Sequence, residues 1–261
     1  MQAEWPAPAG LVPEWGAPAT VGAWMSSRQG GVSAGPWQGL NLGTAVGDDP
    51  AAVAENRRRF AAATAAVPVF LHQVHGNTVV EVTADDAQRA RPLDADAAVT
   101  TQPGVACTVQ VADCLPVLLS ASNGRAVAAA HAGWRGLAGG VVDAALAAVC
   151  QRAGCAPHTV FAWLGPCIGP QAFEVGADVL AGFQAAALER DQPRFAWRPR
   201  PNGEPRWLAD LPGLARDRLQ ALGVARVTGG TWCTVGDASR FFSFRRDGVT
   251  GRMAAAVWLR A

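Results

Sequence analysis

Three reactive side chains of this sequence fall at the ends of strand-like segments, close to a glycine or a proline. His75 precedes Gly76 in "HQVHG", Cys114 precedes Leu115-Pro116 in "VADCLPVLL", and His131 precedes Ala132-Gly133 in "HAGWRG". Strand ends are where sites tend to be built, and a glycine there leaves room for a turn or a ligand. Two imidazoles and a thiolate are good donors for zinc or copper, and three protein ligands leave a fourth position for water or substrate. No short zinc pattern links the three, which lie far apart in the chain. The same residues also read as a small core cysteine and two hydrogen-bonded histidines. A third reading keeps the residues and omits the metal: Cys114 as a nucleophile activated by His131, hydrolysing an amide or ester.

Asp113 raises its own question, because an acid inside an apolar run needs a partner. In a strand it points away from Cys114. It is expected to orient a ligating histidine, to pair with an arginine such as Arg135, or to cap the strand end by accepting backbone N–H groups. His72 stands three residues before His75, faces the other side of an extended segment, and is expected to be structural. His158, beside Pro157, is expected at the surface. The six cysteines are spread out with no CxxC pair.

Composition removes several function classes. All 22 basic residues are arginine, and lysine and tyrosine are absent. A lysine Schiff base and a Walker-type phosphate loop are therefore excluded, and an anion must be held by arginine or a charged histidine. The formal charge is +1 and no basic block occurs, so nucleic acid is not an expected partner. The opening "MQAEWPAPAGLVPEW" lacks the basic start and apolar core of a secretory signal. The most apolar later stretch, 126–150, is broken by His131, Arg135 and Asp143. No membrane is expected, and the chain is placed in the cytoplasm, where disulfides are rare. A monomer is the expected state. Ten tryptophans, among them Trp5, Trp15 and Trp37 in loop-like regions, leave open a non-catalytic binding role through an apolar patch.

The elements that must position these residues begin after an irregular N-terminal lead-in over 1–19. "TVGAWMSS" reads as a strand running into a glycine-rich loop, and a helix starts at Pro50 with Asp49 as its N-cap. Strand signals follow at 68–74, 78–82, 97–100, 104–112, 115–119 and 125–130. Helices are predicted over 137–153, near 176–189 and near 211–222, with strands at "TVFAWLG", "ARVTGG" and "RMAAAVWLR". The stretch "DQPRFAWRPRPNGEPRW" reads as an exposed excursion. Strands come in runs as well as alternating with helices. The predicted fold is α/β (α+β), a single domain over 1–261 with a mixed β-sheet and packed helices.

"HQVHG", "ADCLPVLL", "HAGWRG", "LGPCIGPQAFEVG" and "FFSFRRDGVTGRMAAAVWL" together resemble the YfiH-type laccase-domain family, whose members are also called multicopper polyphenol oxidases. The loop "GGVSAGPWQGLNLGTAVGDDPAAVAENR" is similar to the family's N-terminal signature, and the likeness runs from about residue 20 to the end. Phe242 stands where members often carry tyrosine. The resemblance implies a fold shared with cysteine-dependent toxin deamidases and metal ligands at His75, Cys114 and His131, the metal being zinc, with copper as the alternative. It implies purine nucleoside phosphorylase activity on adenosine, inosine, guanosine and methylthioadenosine, with adenosine deaminase activity beside it. Peptidoglycan-precursor editing is a further role associated with bacterial members. With lysine absent, Arg57, Arg135, Arg245 and Arg246 in the matched motifs are the candidates for phosphate, and Asn41 for ribose or base; each arginine also fits a plain ion pair. A multicopper mechanism needs far more histidines than the four present, and a blue copper site would have only Met25 and Met253 inside the chain as axial donors.

Overall fold

A computed structural model of the chain describes residues 8–261. Of the irregular lead-in, residues 1–7, with Trp5, lie outside the described residues, and the remainder contains the two-residue strand β1 (Gly10–Leu11).

The apolar strand runs are explained by layers that cover both faces of each sheet. A five-stranded sheet has the order β1, β2 (Val21–Ser26), β14 (Met253–Leu259), β6 (Val105–Val111), β3 (Val67–Phe70). A six-stranded sheet has the order β13 (Arg226–Gly229), β9 (Val160–Leu164), β7 (Leu115–Ala121), β8 (Val127–Ala132), β5 (Ala97–Thr100), β4 (Val79–Glu81). Both are mixed: β3 lies parallel to β6, β13 to β9 and β4 to β5, while the central pairs are antiparallel.

The two sheets pack face to face. Met25, Cys107, Val109, Met253 and Val257 of one meet Leu118, Val127, Ala129, Phe161 and Trp163 of the other. Alternation sends Val117 and Leu119 to the opposite face of β7, where they pack with helix α3 (Val141–Ala153). Helices α2 (Trp134–Ala138), α4 (Ala177–Gly182) and α5 (Leu211–Ala221) share that outer layer. The outer face of the five-stranded sheet is covered by α1 (Pro50–Thr64), whose Phe60 ring lies 5.3 Å from Trp24 and 6.0 Å from Phe70. Buried residues Val53, Asn56, Phe60 and Thr64 recur at helical spacing and form its inward stripe. Helix, sheet, sheet and helix layers thus form a single-domain mixed α/β fold. No helix among the described residues is long and apolar enough to cross a membrane.

Helix α1 begins as its caps require: Pro50 is the first residue and Asp49 accepts from the Ala51 N–H at 3.0 Å. Elsewhere local signals lose to packing. The helix expected over 137–153 is two helices, because the Gly139-Gly140 pair interrupts it and Gly140 has φ +92°. The helix expected over 176–189 stops at Gly182, whose position against Trp134 leaves 3.2 Å for a β-carbon, and Gln184 turns left-handed just beyond. The expected exposed excursion hides a small antiparallel sheet of β10 (Glu174–Val175), β12 (Trp207–Ala209) and β11 (Phe195–Trp197). Its prolines, Arg198 and Arg200 are exposed, Arg194 and Arg206 are half-buried against carboxylates, and Phe195 and Trp207 are buried. The strand expected over 68–74 ends at Phe70, where the chain leaves the sheet for the site. All six thiols are free. Trp15 is buried and Trp37 donates to the Val46 carbonyl at 3.0 Å.

Candidate metal centre

The three reactive side chains meet at one end of the six-stranded sheet. Cys114 stands immediately before β7, and His131 lies in β8, where Pro116 is its cross-strand partner. His131 follows Val127 and Ala129 on the face turned toward the five-stranded sheet, so its ring closes the end of the layer between the sheets. His75 comes from the loop between β3 and β4. One donor atom from each of the three lies within 4.8 Å of the others, and His75 Nε2 is 3.8 Å from Cys114 Sγ. Nitrogen and sulfur donors on a tetrahedral zinc with ordinary bond lengths sit about 3.5 Å apart, so the donor set fits a metal ion with little adjustment. Gly133 makes this approach possible. A β-carbon there would lie 3.0 Å from Cys114 Sγ and 3.1 Å from His75 Cδ2.

A residue that the sequence did not single out fixes the geometry. Asp96, fully buried just before β5, accepts from the backbone N–H groups of Val74 (3.2 Å), His75 (2.9 Å) and Gly76 (2.7 Å). Its Oδ1 also lies 2.8 Å from His131 Nδ1, which leaves Nε2 of that ring as the donor for a metal. His75 has φ 61°, a strained left-handed conformation that these bonds hold in place. Burial pushes the Asp96 carboxyl up, but the His131 ring and the backbone N–H groups outweigh it and hold the group below its ordinary value. Burial also pushes the Cys114 thiol up; the positive His131 ring, with hydrogen bonds from His131 and His75, pulls it down to about 6. Burial lowers His131, and the Cys114 thiolate and Asp96 together raise it to about 9. Both shifts favour the thiolate–imidazolium form of the pair when no metal is bound, and in that form an entering cation displaces the His131 proton.

The cluster opens into a cavity of about 550 Å³ lined also by Arg57, Gln73, Gln110, Phe244 and Arg252. Residues 22–260 match a family model described as multi-copper polyphenol oxidoreductase laccase. The chain belongs to this family. A purine nucleoside phosphorylase of Pseudomonas aeruginosa is 50% identical over 96% of this chain and 98% of its own length. The Escherichia coli purine nucleoside phosphorylase YfiH is 44% identical over 95% and 98% respectively. A crystal structure from Neisseria meningitidis superposes with a TM-score of 0.85 at 46% identity, covering 97% of this chain and 99% of that one.

The family's multi-copper description does not suit this laccase-domain chain. It has four histidines, and the His75, Cys114 and His131 group is the one cluster of three or more His, Cys, Asp or Glu ligands among the described residues. Met25 and Met253 are fully buried between the sheets, and Met253 sulfur accepts from the Phe242 N–H.

The remaining candidates are distributed as follows. Arg57 lines the cavity. Arg135 is exposed and stacked 4.3 Å over Trp134, Arg245 donates to the Glu174 carbonyl, and Arg246 is bound by Asp247 and the Thr234 carbonyl; none of these three lines the cavity. Asn41 is fully buried and engaged with Gly43, Asp48 and the Arg252 N–H. His72 lines the cavity wall but turns its Nδ1 to Asp94 at 2.7 Å, and His158 is exposed. Asp113 makes no hydrogen bond or salt bridge to a histidine or arginine side chain among the described residues. Its carboxylate accepts from Thr234 Oγ1 and from the Arg245 N–H, both at 2.6 Å, the latter at the start of helix α6 (Phe244–Asp247). It pins to the sulfur-bearing strand end the helix that carries Phe244, an aromatic ring 59% exposed at the cavity. Arg252, like Gln73, Gln110 and Phe244, is a cavity residue that the sequence did not single out; "RMAAAVWLR" reads only as a strand.

Proposed function

We propose that this chain is a zinc-dependent purine nucleoside phosphorylase acting on adenosine, inosine, guanosine and methylthioadenosine, with adenosine deaminase activity beside it. The observation that carries the reading is the convergence of His75, Cys114 and His131 on a cavity that also presents an arginine with no carboxylate partner among the described residues. The names of the Pseudomonas and Escherichia relatives support the reaction. Zinc held by the three side chains would supply a Lewis acid with one open position. In phosphorolysis a phosphate oxygen bonds to ribose C1′ while the C1′–N9 bond breaks and its electron pair leaves with the purine. The chain must then hold a dianion beside an uncharged nucleoside, and arginine is the available side chain. Gln73 exchanges two hydrogen bonds with the Gln110 backbone, of 2.7 and 2.8 Å, and keeps the cavity wall rigid against β6.

Incubation with adenosine, with and without phosphate, followed by chromatography tests the proposal. Adenine and ribose 1-phosphate appearing only with phosphate support it, and inosine reports deamination. Failure to form any of these products overturns it.

A second reading has one observation in its favour. Cys114, His131 and Asp96 form a nucleophile–base–orienter series with a depressed thiol, which is the arrangement of a cysteine amide hydrolase. Elemental analysis showing no metal in freshly purified active protein would favour it.

A further inference from the structure

We propose that Arg57 and Arg252 together form an oxyanion subsite for a phosphate dianion, with Arg252 the principal clamp. Both guanidinium groups line the cavity of the metal centre, both are half-buried, and neither has a carboxylate partner among the described residues. Cys114 and Asp113 act on Arg252 only through space, and no anion is hydrogen-bonded to either guanidinium among the described residues. A partly desolvated cation with no anion bonded to it is costly, so a cavity walled by two of them suits an anion.

The two side chains are anchored on one short segment. Arg57 Nε donates to the Leu42 carbonyl at 2.9 Å, and its plane lies 4.0 Å from the Phe70 ring. The Arg252 carbonyl accepts from the Leu42 N–H at 3.0 Å. The buried Asn41 oxygen accepts from both the Gly43 N–H (2.9 Å) and the Arg252 N–H (2.8 Å). Gly43 has no side chain because the Arg252 stem passes there: a β-carbon would lie 2.8 Å from Arg252 Cγ. Asn41 is thus a positioning residue for the arginine pair.

The free donors point to the ligand class. Arg252 spends Nη1 on the Thr250 and Gly251 carbonyls, both at 3.0 Å, leaving its Nε–Nη2 edge. That is the edge with which Arg194 grips Asp217, Arg58 grips Glu55 and Arg218 grips Asp143. Arg57 leaves its Nη1 and Nη2 ends. Two forked donors matched to oxygens, carrying two charges, suit a dianionic phosphate better than a single carboxylate. The assignment of that phosphate as co-substrate rests on the phosphorylase reading; the subsite itself does not.

The test is a titration of the zinc-loaded protein with inorganic phosphate, read as the rise in unfolding temperature and as the phosphate KM with adenosine. Adenosine 5′-monophosphate is titrated separately. Inorganic phosphate is expected to raise the unfolding temperature, and Arg252→Gln and Arg57→Gln each to increase the phosphate needed by about tenfold or more, at unchanged zinc content. Where the glutamine variant of Arg252 fails to fold, Arg252→Lys, which lacks the two-donor edge, must show the same weakening. Titrations of the variants that superimpose on the parent, with unchanged phosphate KM, overturn the subsite and leave the phosphorylase standing. A phosphate-dependent rise that the variants lose, in a protein that forms no ribose 1-phosphate, supports the subsite and overturns the phosphorylase. A rise with the nucleotide alone overturns the assignment to the free ion.

Discussion

A fully buried carboxylate costs several kcal/mol of desolvation unless its lone pairs are met, and Asp96 meets them with three backbone N–H groups and the His131 ring. Two of the three candidate metal ligands hang on that one group: His75 through its backbone and His131 through its tautomer. Asp96→Asn is expected to weaken zinc binding about 10- to 100-fold in chelator competition. Asp96→Ala removes every one of these acceptors, and a loss of about 3–5 kcal/mol in denaturant unfolding is expected as well. Cys114, held near 6 by His131 once burial is overcome, gives a second expectation. In metal-stripped protein its alkylation by iodoacetamide should rise with pH through about 6, because the thiolate is the nucleophile, and saturate above that. The zinc-loaded protein should resist alkylation until a chelator is added; equal rates in both forms would favour the hydrolase reading. The three donors are legible in the sequence because each marks the end of a strand-like run. Asp96 is not, since "LDADAAV" reads as an ordinary turn and its partners are supplied by the remote segment 74–76. Arg252 is hidden for the same reason, its role being set by a loop more than two hundred residues earlier.

Elements differ in how much of their structure is local. Helix α1 follows from its cap, its proline and its stripe of buried residues, and the long strands follow from their apolar runs. The division of α2 from α3 and the small sheet of β10 to β12 depend on what the glycines and aromatics pack against, which no window of sequence displays. Asp113 illustrates the link between elements. Its φ of 94° is unfavourable, and the conformation persists because three segments bind it: Ile168 through the backbone, Thr234 and Arg245 through the carboxylate. Asp113→Ala keeps the strained backbone and loses both carboxylate bonds. A stability loss of about 2 kcal/mol or more is expected in denaturant unfolding, with the Arg245 amide at the start of α6 gaining exchange. A variant as stable as the parent would show that α6 is held by other contacts.

At the scale of the whole molecule, the metal centre sits at the edge of a core that does not need it. Two sheets with Leu118, Phe161 and Trp163 between them, and helical layers outside, bury enough apolar surface to fold without metal. Chelation is therefore expected to lower the unfolding temperature while leaving the far-ultraviolet circular dichroism unchanged, since ligand binding adds stability only to an already folded state. Collapse of the secondary-structure signal on chelation would place the ion in the fold rather than in the chemistry. The layered architecture also explains why the site lies where it does: β5, β7 and β8 bring Asp96, Cys114 and His131 to one end of the six-stranded sheet, and the loop after β3 closes it with His75. X-ray absorption at the zinc edge of the freshly purified protein measures that convergence. One sulfur neighbour at about 2.3 Å and two imidazole nitrogens near 2.0 Å are expected, at one ion per chain, with the sulfur shell absent in Cys114→Ser. A zinc shell with no sulfur, or one that Cys114→Ser leaves unaltered, would contradict the account.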